Sequence, residues 1–184
     1  MNELIFSELE RIERFPVCRT RKNVSSKKIT AFCLGDVPYR GQRILNFQTR
    51  GPSKFNRKYT KLLEMLKSFV LEIDPSFQFT TIQVNKNIQC EPHVDKNNMG
   101  PSYIIGLGNY DGGDLVIEGK EISIKNKWVQ FDGRKAHWTN PFNGTRYSII
   151  YFTHTFKPPL YSLINLQVSR ENVKDKNGKV ISSW

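Results

Sequence analysis

The sequence is poor in cysteine, in acidic residues and in long apolar runs. Its 184 residues include three cysteines, and an odd number without a Cys-x-x-Cys pair argues against a disulfide framework and favours a reducing, intracellular setting. No apolar run approaches the roughly 20 residues that a membrane-spanning helix needs, and the first residues lack the basic start and apolar stretch of a secretory signal. These absences predict an intracellular protein with no membrane partner, nuclear in a eukaryote and cytoplasmic otherwise.

The shortage of acidic residues is concentrated in one segment. The chain has 28 Lys and Arg against 17 Asp and Glu, a formal net charge of +11, and residues 19–61 hold 12 of these cations with a single acid, Asp36. Cations pair with phosphates and interleaved aromatic rings stack on bases, so this segment favours a nucleic acid over other polyanionic partners, with a solvated basic surface as the alternative. The candidate phosphate contacts are Arg40, Arg43, Arg50, Lys54 and Arg57.

Hydrophobic periodicity separates a helical first part from a strand-rich second part. Apolar residues at helical spacing predict helices over residues 2–14 and 58–74. Short β-branched and aromatic runs follow, separated by turn residues, which is typical of an antiparallel sandwich or barrel. We therefore predict one domain over residues 1–184, with a basic, helix-containing part at 1–76 and a β core at 77–170. The predicted strands are 77–84, 103–107, 114–117, 121–124, 128–131, 146–153 and 160–168. The predicted turns are 109–113, 118–120, 132–133 and 141–144, with a last hairpin turn at 175–179.

Two of the three histidines form a pattern that is typical of a metal site. His93 and Asp95 are two residues apart, so on an extended segment their side chains lie on the same face, and His137 arrives from a later strand. Two imidazoles and one carboxylate on one face of an octahedron leave three positions open, which is the facial triad of non-heme Fe(II) oxygenases. A single histidine is more often an ordinary surface or core residue, so the prediction depends on all three together.

An arginine inside an apolar strand adds to this pattern. Arg146 lies within residues 145–153, where a buried guanidinium is costly unless it is paired. A bidentate carboxylate such as the distal carboxylate of 2-oxoglutarate would pair it, and Ser148 lies two residues on, on the same face. The alternative is an arginine paired with a structural aspartate.

With these residues in order, the sequence resembles the 2-oxoglutarate/Fe(II)-dependent dioxygenases, and within them most closely the TET and J-binding-protein-like branch. The resemblance is carried by residues 85–102, 106–115, 131–133 and 141–148. It implies a mainly β fold with flanking α-helices, a double-stranded β-helix or jelly roll. It also implies that His93, Asp95 and His137 ligate Fe(II), that Arg146 and Ser148 hold 2-oxoglutarate, and that Asn85 or Asn87 contacts the other end of that co-substrate.

The resemblance further implies a reaction and a substrate. The expected activity is hydroxylation, with O₂ and 2-oxoglutarate, of the methyl group of 5-methylcytosine or thymine in DNA, by a protein we expect to be monomeric. Asn97 and Asn98 follow the metal ligands and could read a base edge or form a polar turn. Three alternatives stay open: a protein hydroxylase, such as one acting on prolyl residues, an AlkB-like nucleic-acid demethylase, and a non-enzymatic nucleic-acid-binding module. The cysteine-rich zinc region of animal TET enzymes cannot be built from three cysteines.

Overall fold

The computed structural model describes residues 1–18, 24–25, 28–38 and 50–154 of the chain. Several predictions lie outside these residues: Arg40, Arg43, the strand at 160–168 and the hairpin turn at 175–179. Arg50 is described as part of a strand, but its side chain is not. Contacts divide the chain into two compact units, and nearly all described residues belong to the first, Met1–Val37 with Gly51–Thr155. The single-domain organisation of the whole chain stays a prediction. No described helix is both long and apolar enough to cross a membrane.

Of the three helices in the described part of the chain, one precedes the first strand and two lie between the third and fourth strands. Helix α1 (Asn2–Glu10) confirms the first predicted helix over a shorter range, and α3 (Thr60–Leu71) confirms the second. The short α2 (Lys54–Lys58) was not predicted, and it begins where the Ser53 side chain accepts a hydrogen bond from the backbone of Phe55. Its presence follows from this cap, because five residues are too few for a periodicity to be seen. The residues that α3 buries in the core are Leu62, Leu63, Leu66, Phe69 and Val70.

The strands form one large antiparallel sheet and two small ones. The strands of the large sheet are β1 (Val17–Cys18), β2 (Ile29–Pro38), β3 (Arg50–Pro52), β4 (Thr81–Lys86), β5 (Asn98–Leu107), β9 (Val129–Phe131) and β12 (Tyr147–His154). They lie in the order β1-β2-β4-β12-β5-β9, with β3 paired to β2. The small sheets contain β6 (Tyr110–Gly112), β7 (Leu115–Ile117), β8 (Lys120–Ile122), β10 (His137–Thr139) and β11 (Phe142–Gly144), in the orders β10-β7-β8 and β11-β6. This arrangement confirms the predicted mainly β jelly roll with flanking helices.

Two predicted turns are wrong in part, because they pair with each other. Residues within 109–113 form β6 and residues within 141–144 form β11, with Tyr110 opposite Gly144 and Gly112 opposite Phe142. Glycine-rich segments have the composition of turns, and only the tertiary pairing makes these two into strands. The strand β10, which carries His137, also lies outside the predicted strands.

The large sheet has one apolar face and one partly polar face, because successive strand side chains alternate. On the apolar face, residues such as Ile82, Ile149 and Tyr151 pack with α1 and α3 in the main core. The Tyr151 hydroxyl donates to the carbonyl of Leu66 over 2.9 Å and ties α3 to the sheet. On the other face a second core of apolar residues packs between the sheets, centred on Ile104, Leu115, Ile124, Val129 and Phe131. Beside it lie buried polar residues of β4 and β12, and these form the floor of the site described next.

Candidate metal centre

The two histidines of the predicted triad face each other across a pair of backbone hydrogen bonds. The His93 amide donates to the His137 carbonyl over 3.1 Å, and the His137 amide donates to the His93 carbonyl over 3.0 Å. In such an antiparallel pair, opposite side chains project from the same face, and the two imidazole centroids are 4.3 Å apart. The local pairing of two short segments therefore brings together residues 44 positions apart in the sequence.

Each imidazole is held through its Nδ1 atom. The Nδ1 of His93 lies 2.7 Å from the Glu91 carbonyl oxygen, and the Nδ1 of His137 lies 2.8 Å from the Lys135 carbonyl oxygen. A carbonyl oxygen only accepts hydrogen bonds, so Nδ1 carries a proton in both rings, and in the neutral form of each ring Nε2 is the atom with a free lone pair. This is the arrangement by which metal-ligating histidines have their ring orientation fixed.

Asp95 completes the cluster from the other end of the same segment. Its amide donates to the Gly133 carbonyl over 2.8 Å, and one carboxylate oxygen lies 3.9 Å from the Nε2 of His137. The ligating atoms of His93, Asp95 and His137 all lie within 4.8 Å of one another. Two imidazole nitrogens and one carboxylate oxygen on one side are the donor set of a non-heme Fe(II) facial triad, so the residues fit that metal. His137 is buried and the other two are half-buried, which leaves one side of the cluster accessible.

The turn behind Asp95 is fixed by an ion pair. Arg134 donates through Nε and Nη2 to the two carboxylate oxygens of Asp132, each over 2.8 Å, and this fork encloses Gly133. Hydrogen bonds from Arg134 lower the pKa of Asp132 to about 2. A side chain at Gly133 would place its Cβ 2.9 Å from the Asn98 side-chain nitrogen, so this position favours glycine.

Arg146 is buried and has an orphaned nitrogen. Only 2% of the residue is exposed, and its Nε has no hydrogen-bond partner. Its guanidinium carbon lies 5.6 Å from the ring centroid of Tyr110 and 5.4 Å from that of Phe142. Burial lowers the pKa of Arg146, and nearby groups such as Tyr110 and Asp114 offset this only in part. Among the described residues no carboxylate lies within ion-pair distance of Arg146, so within this part of the chain the sequence alternative of an arginine paired with a structural aspartate has no candidate partner.

Two residues hold Arg146 in this position. The Asn87 amide donates to the Arg146 carbonyl over 2.7 Å, and the Arg146 amide donates to the Asn87 side-chain oxygen over 2.8 Å. Gly113 lies against the side chain, where a Cβ would be only 2.8 Å from the Arg146 Nε. The sequence predicted that Asn85 or Asn87 contacts the co-substrate. In the structure the Asn87 side-chain oxygen accepts from Arg146, and a contact of either asparagine with the co-substrate stays a prediction.

Ser148 and Asn85 lie on the polar face of the large sheet and contact each other. The Asn85 side-chain nitrogen donates to the Ser148 hydroxyl over 3.1 Å, and both residues are buried. Gly106 is opposite Ser148 on β5, and a Cβ there would be 2.2 Å from the Tyr110 hydroxyl oxygen. The Tyr110 side chain therefore spans the site: its ring lies against the Arg146 guanidinium, and its hydroxyl lies against Gly106, the residue opposite Ser148. Burial raises the pKa of Tyr110, and the nearby charge of Arg146 offsets this in part.

The remaining predicted site residues are spread over the surface and the loop after Asp95. Asn97 is exposed, whereas Asn98 is buried and its amide donates to the Asp95 carbonyl over 3.0 Å, so Asn98 supports the loop that carries the metal ligand. Lys54 and Arg57 are exposed on α2. Base and phosphate contacts by these residues stay predictions. Four residues near Arg146 or near the Asn85–Ser148 pair were not predicted from the sequence, namely Gln83, Tyr110, Gly113 and Phe142. The alternation of polar and apolar residues along β4 is the one signal that could have indicated Gln83.

Comparisons with known proteins bear on the fold. No protein-family model matches the sequence, and no curated protein is significantly similar to it. Among solved structures, the chain is similar to NgTET1 in complex with 5mC DNA, with a TM-score of 0.54 and 15% identity over 91% of this chain and 77% of that one. It is also similar to an oxidoreductase of the 2OG-Fe(II) oxygenase family from Burkholderia pseudomallei, with a TM-score of 0.51 and 15% identity over 80% and 77% of the two chains.

These likenesses show a shared fold. The chain has the jelly roll of a 2-oxoglutarate/Fe(II) oxygenase, and the resemblance drawn from the sequence is confirmed at that level. The His-Asp-His cluster stands within this fold.

Proposed function

We propose that this protein is a 2-oxoglutarate- and Fe(II)-dependent dioxygenase. The observation that carries the proposal is the convergence of His93, Asp95 and His137, with both Nε2 atoms directed away from the carbonyls that hold Nδ1, in a fold that also buries an arginine whose Nε has no hydrogen-bond partner. A cluster of metal-ligating side chains is by itself compatible with many functions. The buried guanidinium of Arg146, whose Nε has no partner, favours an anion beside it, and a carboxylate co-substrate would supply that anion.

Each of these residues has a role in the proposed reaction. His93, Asp95 and His137 would hold Fe(II), which together with 2-oxoglutarate and O₂ supplies the oxidation of a C–H bond to an alcohol. Arg146 binds the distal carboxylate of 2-oxoglutarate, and Ser148 donates a hydrogen bond to it. The rings beside the guanidinium exclude water, and the attraction between the two charges is stronger in such surroundings than in water.

Replacing the ligands tests the metal assignment. His93→Ala and Asp95→Ala should lose succinate formation from 2-oxoglutarate and should lose high-affinity binding of Fe(II), measured without O₂, while circular dichroism shows a folded protein. His154→Ala is the matched control, because this third histidine lies at the end of β12 and outside the cluster. Succinate formation retained in either ligand variant contradicts the assignment.

We infer that the substrate is the methyl group of 5-methylcytosine or thymine in DNA. The inference is supported by the likeness to NgTET1 in complex with 5mC DNA, by the net charge of +11, and by the exposed cations Lys54 and Arg57 on α2. Positive charge favours binding to a phosphate backbone. A base in duplex DNA must be rotated out of the stack to reach the metal. This unstacking costs roughly a few kcal/mol, as it does for other enzymes that modify bases.

The substrate is tested with Fe(II), 2-oxoglutarate and DNA oligomers that differ only in 5-methylcytosine, thymine or their absence. Mass spectrometry of the digested nucleosides should show hydroxymethyl products, and the Asp95→Ala protein should give none. Succinate formation stimulated by prolyl peptides and not by DNA would instead identify a protein hydroxylase. Loss of N-methyl groups from methylated oligomers would identify an AlkB-like demethylase.

A further inference from the structure

A line of four polar side chains crosses the large sheet beneath the site. The Cys33 thiol on β2 donates to the Gln83 side-chain oxygen over 2.9 Å, the Gln83 nitrogen donates to the Asn85 oxygen over 2.9 Å, and the Asn85 nitrogen donates to the Ser148 hydroxyl over 3.1 Å. Gln83 and Asn85 are adjacent on the same face of β4, and Ser148 is opposite Asn85 on β12. The line therefore begins at β2 and ends at the position proposed for the co-substrate.

Fixed backbone groups determine the direction of these hydrogen bonds. The Gln83 side-chain nitrogen lies 3.3 Å from the carbonyl oxygen of Phe32, and a carbonyl only accepts, so the atom facing it must be the amide nitrogen. The Asn85 atom that faces this nitrogen must then be its oxygen. It follows that the Asn85 nitrogen faces Ser148.

The last hydroxyl is consequently left with a proton to donate. Because Ser148 Oγ accepts from Asn85, its own proton is directed to a further acceptor. The neighbouring anchor, Arg146, also lacks an acceptor for its Nε. Ser148 lies two residues after Arg146 along the chain, and a carboxylate bound beside them would offer an acceptor to each donor.

We propose that Gln83 is a positioning residue for 2-oxoglutarate. It orients the amide of Asn85, and through it keeps the Ser148 proton directed at the carboxylate of the co-substrate. The inference rests on the proposed function and adds a residue that touches neither the metal ligands nor the co-substrate. Gln83 is buried, and an apolar replacement would take away the partner that the Cys33 thiol and the Asn85 side-chain oxygen each have in it.

Two substitutions separate orientation from packing. In Gln83→Glu, the new carboxylate accepts from Cys33 as the glutamine does but cannot donate to Asn85. The Asn85 amide then rotates, its oxygen faces Ser148, and the hydroxyl donates to Asn85 instead of to the ligand. Gln83→Met keeps the length of the side chain and removes the hydrogen bonds without adding a charge.

The measurement is the dissociation constant of 2-oxoglutarate for the Mn(II)-loaded protein, by calorimetry without O₂, together with urea unfolding. We expect binding to weaken about tenfold or more in Gln83→Glu, as for a lost hydrogen bond to a charged group, and less in Gln83→Met. Thr81→Val is the matched control: Thr81 is buried on the same face of β4 and its hydroxyl donates to the Asp36 carbonyl, outside the line. It should bind 2-oxoglutarate as the wild type does.

A double-mutant cycle with Ser148→Ala decides between the two roles. If Gln83 acts through the Ser148 proton, Gln83→Glu should change the dissociation constant less than about twofold once that hydroxyl is absent. An equal loss in both backgrounds, or unchanged binding in both Gln83 variants, overturns the inference and leaves the proposed function intact. If Gln83→Glu does not fold, the same cycle with Gln83→Met decides. A wild-type protein that does not bind 2-oxoglutarate overturns the proposed function itself.

Discussion

A single methyl group at Gly113 should displace the co-substrate anchor. The residue has a φ of +72°, and a Cβ built on it lies 2.8 Å from Nε and 2.9 Å from Cδ of Arg146. These atoms are in the middle of the side chain, whose far end is packed against two rings, so the arginine cannot simply rotate away. We therefore expect Gly113→Ala to move the guanidinium as well as to strain the backbone.

The magnitude has two parts. An L-residue in the left-handed region costs about 1–2 kcal/mol, and overpacking a filled site costs about 1–3 kcal/mol more. The expected loss of unfolding free energy for Gly113→Ala is therefore about 2–5 kcal/mol. Binding of 2-oxoglutarate should weaken about tenfold or more, because charge-assisted hydrogen bonds to the carboxylate lose their geometry.

Gly119→Ala isolates the backbone part of this effect. Gly119 has a φ of +83°, and nothing lies within 4 Å of its Cβ position. This control should lose about 1–2 kcal/mol of stability in urea unfolding and should bind 2-oxoglutarate, measured by calorimetry, as the wild type does. Equal stability losses in the two variants, with unchanged binding in both, would refute the argument that Gly113 makes room for Arg146.

Two further predictions concern charge. Arg146→Met should leave the unfolding free energy unchanged or raise it, because it replaces a buried charge that has no carboxylate partner among the described residues by an apolar side chain. Binding of 2-oxoglutarate should weaken about tenfold or more, and a large loss of stability in urea would contradict this argument. The pKa of Asp132 is lowered from 3.8 to about 2, so its ion pair with Arg134 stabilises the fold above about pH 4 and this contribution is lost as the pH falls toward 2. Because both side chains are exposed to solvent, which screens the pair, the contribution is small. Asp132→Asn should remove it, which acid unfolding curves would show by converging with the wild type as the pH falls to 2 and below.

The sequence was informative where function depends on residue type and spacing. His93 and Asp95 are two residues apart on an extended segment, and this spacing is enough to predict that they share a face. Arg146 could also be singled out from the sequence, since a charged residue in an apolar run needs a partner. In the same way α3 was predicted from its apolar face alone, with an error of a few residues at its ends.

The rest depends on pairing that local sequence does not encode. Segments 109–113 and 141–144 each have the composition of a turn, and they become strands only because they lie against each other and enclose Arg146. Gln83 gives a similar case: alternation along β4 shows that it faces away from Ile82, but only the fold shows that this face carries the site. The orientation of its amide is determined by a backbone carbonyl of β2, more than 50 residues earlier.

The segment between β4 and β5 explains why the metal centre and the anchor are positioned together. At the start of this segment, Asn87 makes hydrogen bonds to the backbone of Arg146. In its middle, the Cys90 carbonyl accepts from the Thr139 amide over 3.1 Å, and the backbone hydrogen bonds between His93 and His137 come next. At its end, the Asn98 amide donates to the Asp95 carbonyl and supports the loop that carries this ligand. One short segment thus holds both ends of the site through hydrogen bonds to Arg146, just before β12, and to Thr139 on β10. Because sites held by such supporting contacts are precise only while the contacts persist, local opening of this segment would misplace the metal ligands and the carboxylate anchor at the same time, and the two functions should be lost together.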